Sequence, residues 1–156
     1  GKRTEVAGRL DGFGMIAPSK ENRQALAISY TSNKYEGRVP NDEVLLRVFM
    51  GGAMNPSVME LSDAELEAIA QQEVRDILKW SGKEPNWIQV VRWNQAMPQY
   101  MLGHRDRVES LKSALAKTPS LRICGAGYDG VGIPQCVKSG RLAAEAIGEL
   151  LRSNLM

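Results

Sequence analysis

Apolar residues recur along this chain in two rhythms. Residues 13–17 (FGMIA) and 25–30 (ALAISY) alternate or run apolar over strand-length windows. Pro18 and the polar stretch 19–23 (SKENR) separate them, which predicts a hairpin with a loop of moderate length. Residues 44–50 (VLLRVFM) predict a third strand, closed by Gly51 and Gly52. Three successive strands with short connections predict an antiparallel sheet. From Ser62 the rhythm becomes helical. Leu66, Ala70, Val74, Ile77 and Leu78 fall on one face. Ser62 with Glu65 predicts a capping box, Leu61 with Leu66 a hydrophobic staple, and Gly82 a residue just past the helix end. Residues 87–93 (WIQVVRW) predict a strand. Residues 104–117 predict a helix through Val108, Leu111 and Leu115, stopped by Pro119. A short buried strand is expected at 121–124. A last helix is expected at 134–151, with Pro134 in its first turn.

The expected class is therefore mixed α/β, of the α+β kind. The head is a small antiparallel sheet and the tail is strand, glycine loop, helix. Two such regimes in a chain of 156 residues suggest pieces of two domains. The net charge of +2 is too small, and the basic residues too scattered, for a nucleic-acid partner. Apolar runs are too short to span a membrane, and no secretory leader is visible behind Gly1. The start at Gly1, in mid-pattern and without Met, suggests that the natural chain extends upstream. Two cysteines, Cys124 and Cys136, make neither a disulfide framework nor a zinc site, and both are expected to be reduced structural thiols. No metal site is expected.

The candidate chemistry lies in the glycines Gly125, Gly127, Gly130 and Gly132, which precede the last helix. A helix N-terminus carries unpaired N–H groups and the positive end of a dipole. Glycines let a ligand approach the backbone. Gly125, Gly127 and Gly130 spell G-x-G-x-x-G, but the dinucleotide fingerprint needs a following βαβ unit with an acidic residue about 20 positions on. Too little chain follows here, so spacing alone leaves a tight turn without a ligand equally open.

Four ordered motifs narrow the choice. GYDGVGIPQCVKSGRLAA at 127–144 resembles the C-terminal signature of the oxygen-dependent protoporphyrinogen oxidases, flavoproteins of haem biosynthesis. LDGFG at 10–14 with Pro18 resembles that family's L-x-G-F-G-x-x-x-P hairpin. LRVFMGG at 46–52 resembles its strand ending in two glycines. RW at 92–93, AMPQY at 96–100 and GH at 103–104 resemble its W-x-x-A-x-P-Q-Y-x-x-G-H block. The resemblance covers nearly the whole chain and corresponds to about the last third of such an enzyme.

The resemblance implies that residues 1–91 belong to a substrate-binding domain. Residues 92–156 would be the closing strand, glycine loop and helix of an FAD-binding, Rossmann-like domain. It implies FAD contacts at Trp93, Gly125, Asp129, Gly130, Val131, Gly132 and Ile133. It implies apolar walls of a tetrapyrrole pocket at Ile16, Leu26 and Phe49. The implied reaction takes protoporphyrinogen IX or coproporphyrinogen III to the porphyrin, with FAD and O2, giving H2O2. No catalytic acid or base is implied here, and the single histidine, His104, reads as structural. The implied partners are the missing N-terminal half and the porphyrinogen. Self-association is expected, and FAD is not expected to stay on this chain alone. The implied location is cytoplasmic, with peripheral attachment to a membrane left open. Amine oxidases and carotenoid desaturases share the two-domain plan, and a non-catalytic interaction module is a further alternative. The PQY block favours the porphyrinogen branch.

Overall fold

The computed structural model describes residues 1–153. The chain divides into two compact units, Gly1–Asn94 and Gln95–Met156.

The first unit is built on a three-stranded antiparallel sheet in the order β1–β2–β3. Its strands are β1 (Gly14–Ile16), β2 (Ala25–Tyr30) and β3 (Leu46–Met50). Met15 pairs with Ile28, and Ile28 with Val48, so these three share one face. Ile28 is fully buried there, in a core with Tyr30, Val74, Leu78 and Trp80. Burial, with a smaller contribution from the Asp11 charge, pushes the Tyr30 phenol above its ordinary pKa. A short helix, α1 (Thr31–Lys34), follows β2 directly.

The helix α2 (Asp63–Leu78) brings Val74 and Leu78 onto this core. It starts where the sequence predicts. The Ser62 hydroxyl accepts from the Glu65 N–H, and Glu65 reaches back to the Ser62 N–H at 2.7 Å. Its end differs from expectation. The helix stops at Leu78, with Lys79 left-handed at φ 53°, and Gly82 lies beyond it. The N-terminal segment takes up the freed groups, the Gly8 N–H donating to the Leu78 carbonyl at 2.7 Å. A side chain at Gly8 would meet the Leu78 backbone at 2.7 Å, so this approach requires glycine. One buried residue breaks the apolar pattern of α2. Glu73 faces inward and accepts the Gln24 N–H at 3.1 Å, with Arg23 3.8 Å from its other oxygen.

The expected strand at 87–93 is not a strand. Its backbone has no ladder partner among the described residues. It is fastened by a side chain instead. The Arg92 guanidinium donates to Asp63 through Nε (2.9 Å) and Nη2 (2.6 Å), to the Met59 carbonyl (3.1 Å) and to the Leu61 carbonyl (2.6 Å).

The second unit contains α3 (His104–Leu115) and α4 (Ile133–Ser153) around the glycine loop. The expected strand at 121–124 is likewise without a ladder partner, and Leu121 and Cys124 are exposed rather than buried. A strand needs a neighbour to pair its N–H and C=O groups, and apolar content alone supplies none. Neither cysteine is in a disulfide. Val108 is the only buried residue of this unit among those described.

Candidate functional site

Two surfaces carry the residues singled out in the sequence. The first is the sheet face opposite the core. Ile16 pairs with Ala27, and Ala27 with Phe49, so Ile16 and Phe49 flank Ala27 across one rung. Ile16 is 80% exposed and Phe49 44%. Leu26 sits where the β2–β3 register slips between Ala25 and Ala27. The extra residue frees its side chain from strict alternation, and it too is exposed. The three residues thus stand at one end of the sheet with no side chain of the core over them. The Arg47 guanidinium lies 6.0 Å from the Phe49 ring centre, a cation at the edge of an otherwise apolar patch. Trp93, at the end of the segment fastened by Arg92, is 71% exposed.

The second surface is the glycine loop. Gly125 has φ +104° and Gly130 φ +134°, regions that side-chain-bearing residues rarely adopt. The loop runs free of ladder bonds and is held mainly by side chains. The Gly125 N–H donates to Ser139 Oγ of α4 at 3.0 Å, and that hydroxyl donates to the Cys136 carbonyl at 2.9 Å. The Gly130 N–H donates to the Tyr100 hydroxyl at 2.8 Å, and the same hydroxyl donates to the Ala126 carbonyl at 2.7 Å. His104 Nε2 lies 3.1 Å from the Tyr128 carbonyl. Lys112 pairs with Asp129 at 2.8 Å, an exposed ion pair of small energetic weight.

The turn delivers the chain to α4, whose first intrahelical bond runs from the Cys136 N–H to the Gly132 carbonyl at 3.0 Å. Pro134 has no N–H to leave unpaired. The N–H groups of Val131, Gly132 and Ile133 have no acceptor among the described residues. Val131 is 51% exposed and Ile133 80%. This arrangement leaves a short run of amides without an acceptor at the positive end of a 21-residue helix, with the Gln135 side chain lying against Gly132. Such a set fits an electron-rich ring edge or an anion and offers nothing to a metal cation. No cluster of three metal-ligating side chains exists among the described residues. No helix among them is long and apolar enough to cross a membrane.

The loop residues Gly125, Asp129, Gly130, Val131, Gly132 and Ile133 are thus brought together on one element. Asp129, however, spends its carboxylate on Lys112. Sequence reasoning missed Tyr100 as a loop residue; the structural reading of His104 is compatible with its contact to the Tyr128 carbonyl. Tyr100, four residues before the His104 that opens α3, was the available signal.

Comparison with known proteins gives the family context. The model of the flavin containing amine oxidoreductases matches residues 4–148. A coproporphyrinogen III oxidase of Bacillus subtilis is 33% identical over 85% of this chain, and the match covers 28% of that protein. A chloroplastic protoporphyrinogen oxidase of Nicotiana tabacum is 31% identical over 94% of this chain and 28% of its own length. The crystal structure of a protein from Exiguobacterium sp. 255-15, provisionally named a protoporphyrinogen oxidase, superposes with a TM-score of 0.74 at 27% identity, covering 88% of this chain and 30% of the other. The chain therefore spans less than a third of the length of these relatives. A match running through both units, from the first turn of the chain into α4, makes this chain a member of the flavin containing amine oxidoreductase family.

Proposed function

We propose that this chain is the C-terminal part of an FAD-dependent porphyrinogen oxidase of haem biosynthesis. In full length it would oxidise protoporphyrinogen IX or coproporphyrinogen III to the porphyrin, with O2 as acceptor and H2O2 as product. The observation that carries the reading is the open amide run 131–133 at the head of α4, in a chain similar over most of its length to porphyrinogen oxidases. When bound, FAD supplies the redox chemistry. The chain's own residues bind and orient. The amides of Val131, Gly132 and Ile133, with the dipole of α4 behind them, would hold an electron-rich edge of the flavin ring. Gly125 and Gly130 let the loop turn tightly enough to present those amides. Trp93 is assigned to the flavin by the family resemblance, and its exposure is compatible with a ring contact.

Ile16, Leu26 and Phe49 are assigned to the apolar wall that receives the macrocycle. Their shared exposure on a sheet face opposite the core supports this, since large apolar surface left bare marks a binding face. Residues 1–91 are assigned to the substrate-binding domain and 92–156 to the FAD-binding domain. The compact units part nearby, after Asn94. The N-terminal part of the full-length protein is assigned as the partner of the second unit, in which Val108 alone is buried among the described residues. A second copy of the chain is the other candidate cover for these surfaces. The test uses the full-length protein and anaerobically prepared porphyrinogens. Porphyrin fluorescence should rise with matching O2 consumption and peroxide release. A flavin-loaded protein that oxidises neither porphyrinogen would overturn the substrate assignment.

A further inference from the structure

We propose that Tyr100 and His104 are positioning residues, a stacked pair that holds the glycine loop by its backbone and so sets where the amides of Val131, Gly132 and Ile133 stand. The two rings are parallel, with centres 3.9 Å apart and planes 9° apart. Each ring then takes hold of the loop at a different point. The Tyr100 hydroxyl accepts from Gly130 N–H and donates to the Ala126 carbonyl, so one oxygen closes both ends of the turn. A phenol can do this because it is donor and acceptor at once. His104 Nε2 meets the Tyr128 carbonyl between those ends. A carbonyl only accepts, so this nitrogen carries the hydrogen. Inside the loop the backbone contributes one bond of its own, Tyr128 N–H to the Gly125 carbonyl at 3.2 Å. Ala126, Tyr128 and Gly130 are therefore fixed by two side chains that are fixed against each other.

The consequence is local. Gly130 is the residue before Val131, so the last point of the clamp adjoins the first open amide. A binding group works only when held to a fraction of an ångström by a rigid support. His104 is also the first residue of α3, and its N–H donates to the Met101 carbonyl at 2.9 Å, which ties the clamp to a helix start. The role toward flavin rests on the reading of residues 131–133 given above. The clamp itself does not.

The test uses the full-length polypeptide that carries this chain, with and without flavin. Tyr100→Phe keeps the ring and removes both hydroxyl bonds. Amide hydrogen exchange at Tyr128 and Gly130, whose N–H groups are bonded in the loop, should accelerate roughly tenfold, the effect of losing about one net hydrogen bond's worth of local stability. Exchange in α2 should stay as in the parent. The flavin midpoint potential and the flavin absorbance band should shift. His104→Gln, whose side-chain N–H can still donate to the Tyr128 carbonyl, should retain most of the protection that His104→Ala loses. Unchanged loop exchange in Tyr100→Phe overturns the proposal, as does faster exchange with an unmoved potential and spectrum. If Tyr100→Phe also loses α2 protection, the two His104 variants decide, and equal behaviour of the pair overturns it. Should the parent protein carry no flavin, the cofactor reading fails, while loop exchange still scores the clamp.

Discussion

Replacing Arg92 by lysine removes a planar fork and keeps a charge. In the parent, four hydrogen bonds leave the guanidinium: two to Asp63 and one each to the Met59 and Leu61 carbonyls. An ammonium on a shorter reach satisfies one acceptor well and cannot span three. The ion pair itself is discounted, because the Asp63 side chain is 64% exposed; it contributes about 0.2–1 kcal/mol. The two carbonyl bonds contribute about 1 kcal/mol each by the usual net value. With one contact retained, Arg92→Lys should cost about 1.5 kcal/mol, roughly tenfold in a local opening equilibrium. The loss should be concentrated in residues 87–93, which have no ladder to fall back on. Hydrogen exchange by mass spectrometry on those peptides is the assay, with a urea titration for the global cost. A double-mutant cycle with Asp63→Asn separates the pair from the effect of Asp63 on the start of α2. A cost below about 0.5 kcal/mol with unchanged exchange at 87–93 would refute the view that a side chain replaces strand pairing there.

Other outcomes follow from the same structure. Ile28→Ala should destabilise the first unit by about 3 kcal/mol and Ile28→Val by about 1 kcal/mol, since Ile28 has no exposed surface; equal costs in urea titrations would contradict a tightly packed core. The Glu65 carboxyl is held below its ordinary pKa by the Ser62 hydroxyl and then by the Ser62 N–H. A lowered folded-state pKa adds stability above the unfolded value and loses it as pH falls through the folded one. The stability gap between parent and Glu65→Gln should therefore be open at neutral pH and close in acid, and a gap that is constant with pH would contradict this. Gly125→Ala should cost about 1 kcal/mol through its positive φ alone, because a Cβ there meets nothing within 4 Å. Faster exchange at 124–128 without a change at α2 is the expected reading.

What the sequence disclosed follows from how local each feature is. The capping box and the start of α2 are set by residues three apart, so both were legible. The hairpin was legible because alternation, Pro18 and a polar loop agree. The end of α2 was not. The choice of Lys79 over Gly82 depends on the N-terminal segment arriving at the Leu78 carbonyl, a contact between residues 70 positions apart. Residues 87–93 and 121–124 carry strand-like composition, but pairing depends on a neighbour that composition does not report. In the candidate site, the glycines could be read because two of them meet backbone angles that other residues rarely adopt. The clamp from Tyr100 and His104 was hidden, since it joins a loop to side chains about 25 positions earlier.

On the function proposed above, residues 131–133 face a flavin held by a larger domain. The most direct measurement is the flavin absorbance spectrum of the purified chain alone and of the full-length polypeptide that carries it, both incubated with FAD and desalted. The account predicts a bound-flavin spectrum in the full-length protein, with Val131 to Ile133 amides protected from exchange only when flavin is present. A folded full-length protein that emerges without flavin, or one whose flavin leaves those amides unprotected, would contradict it.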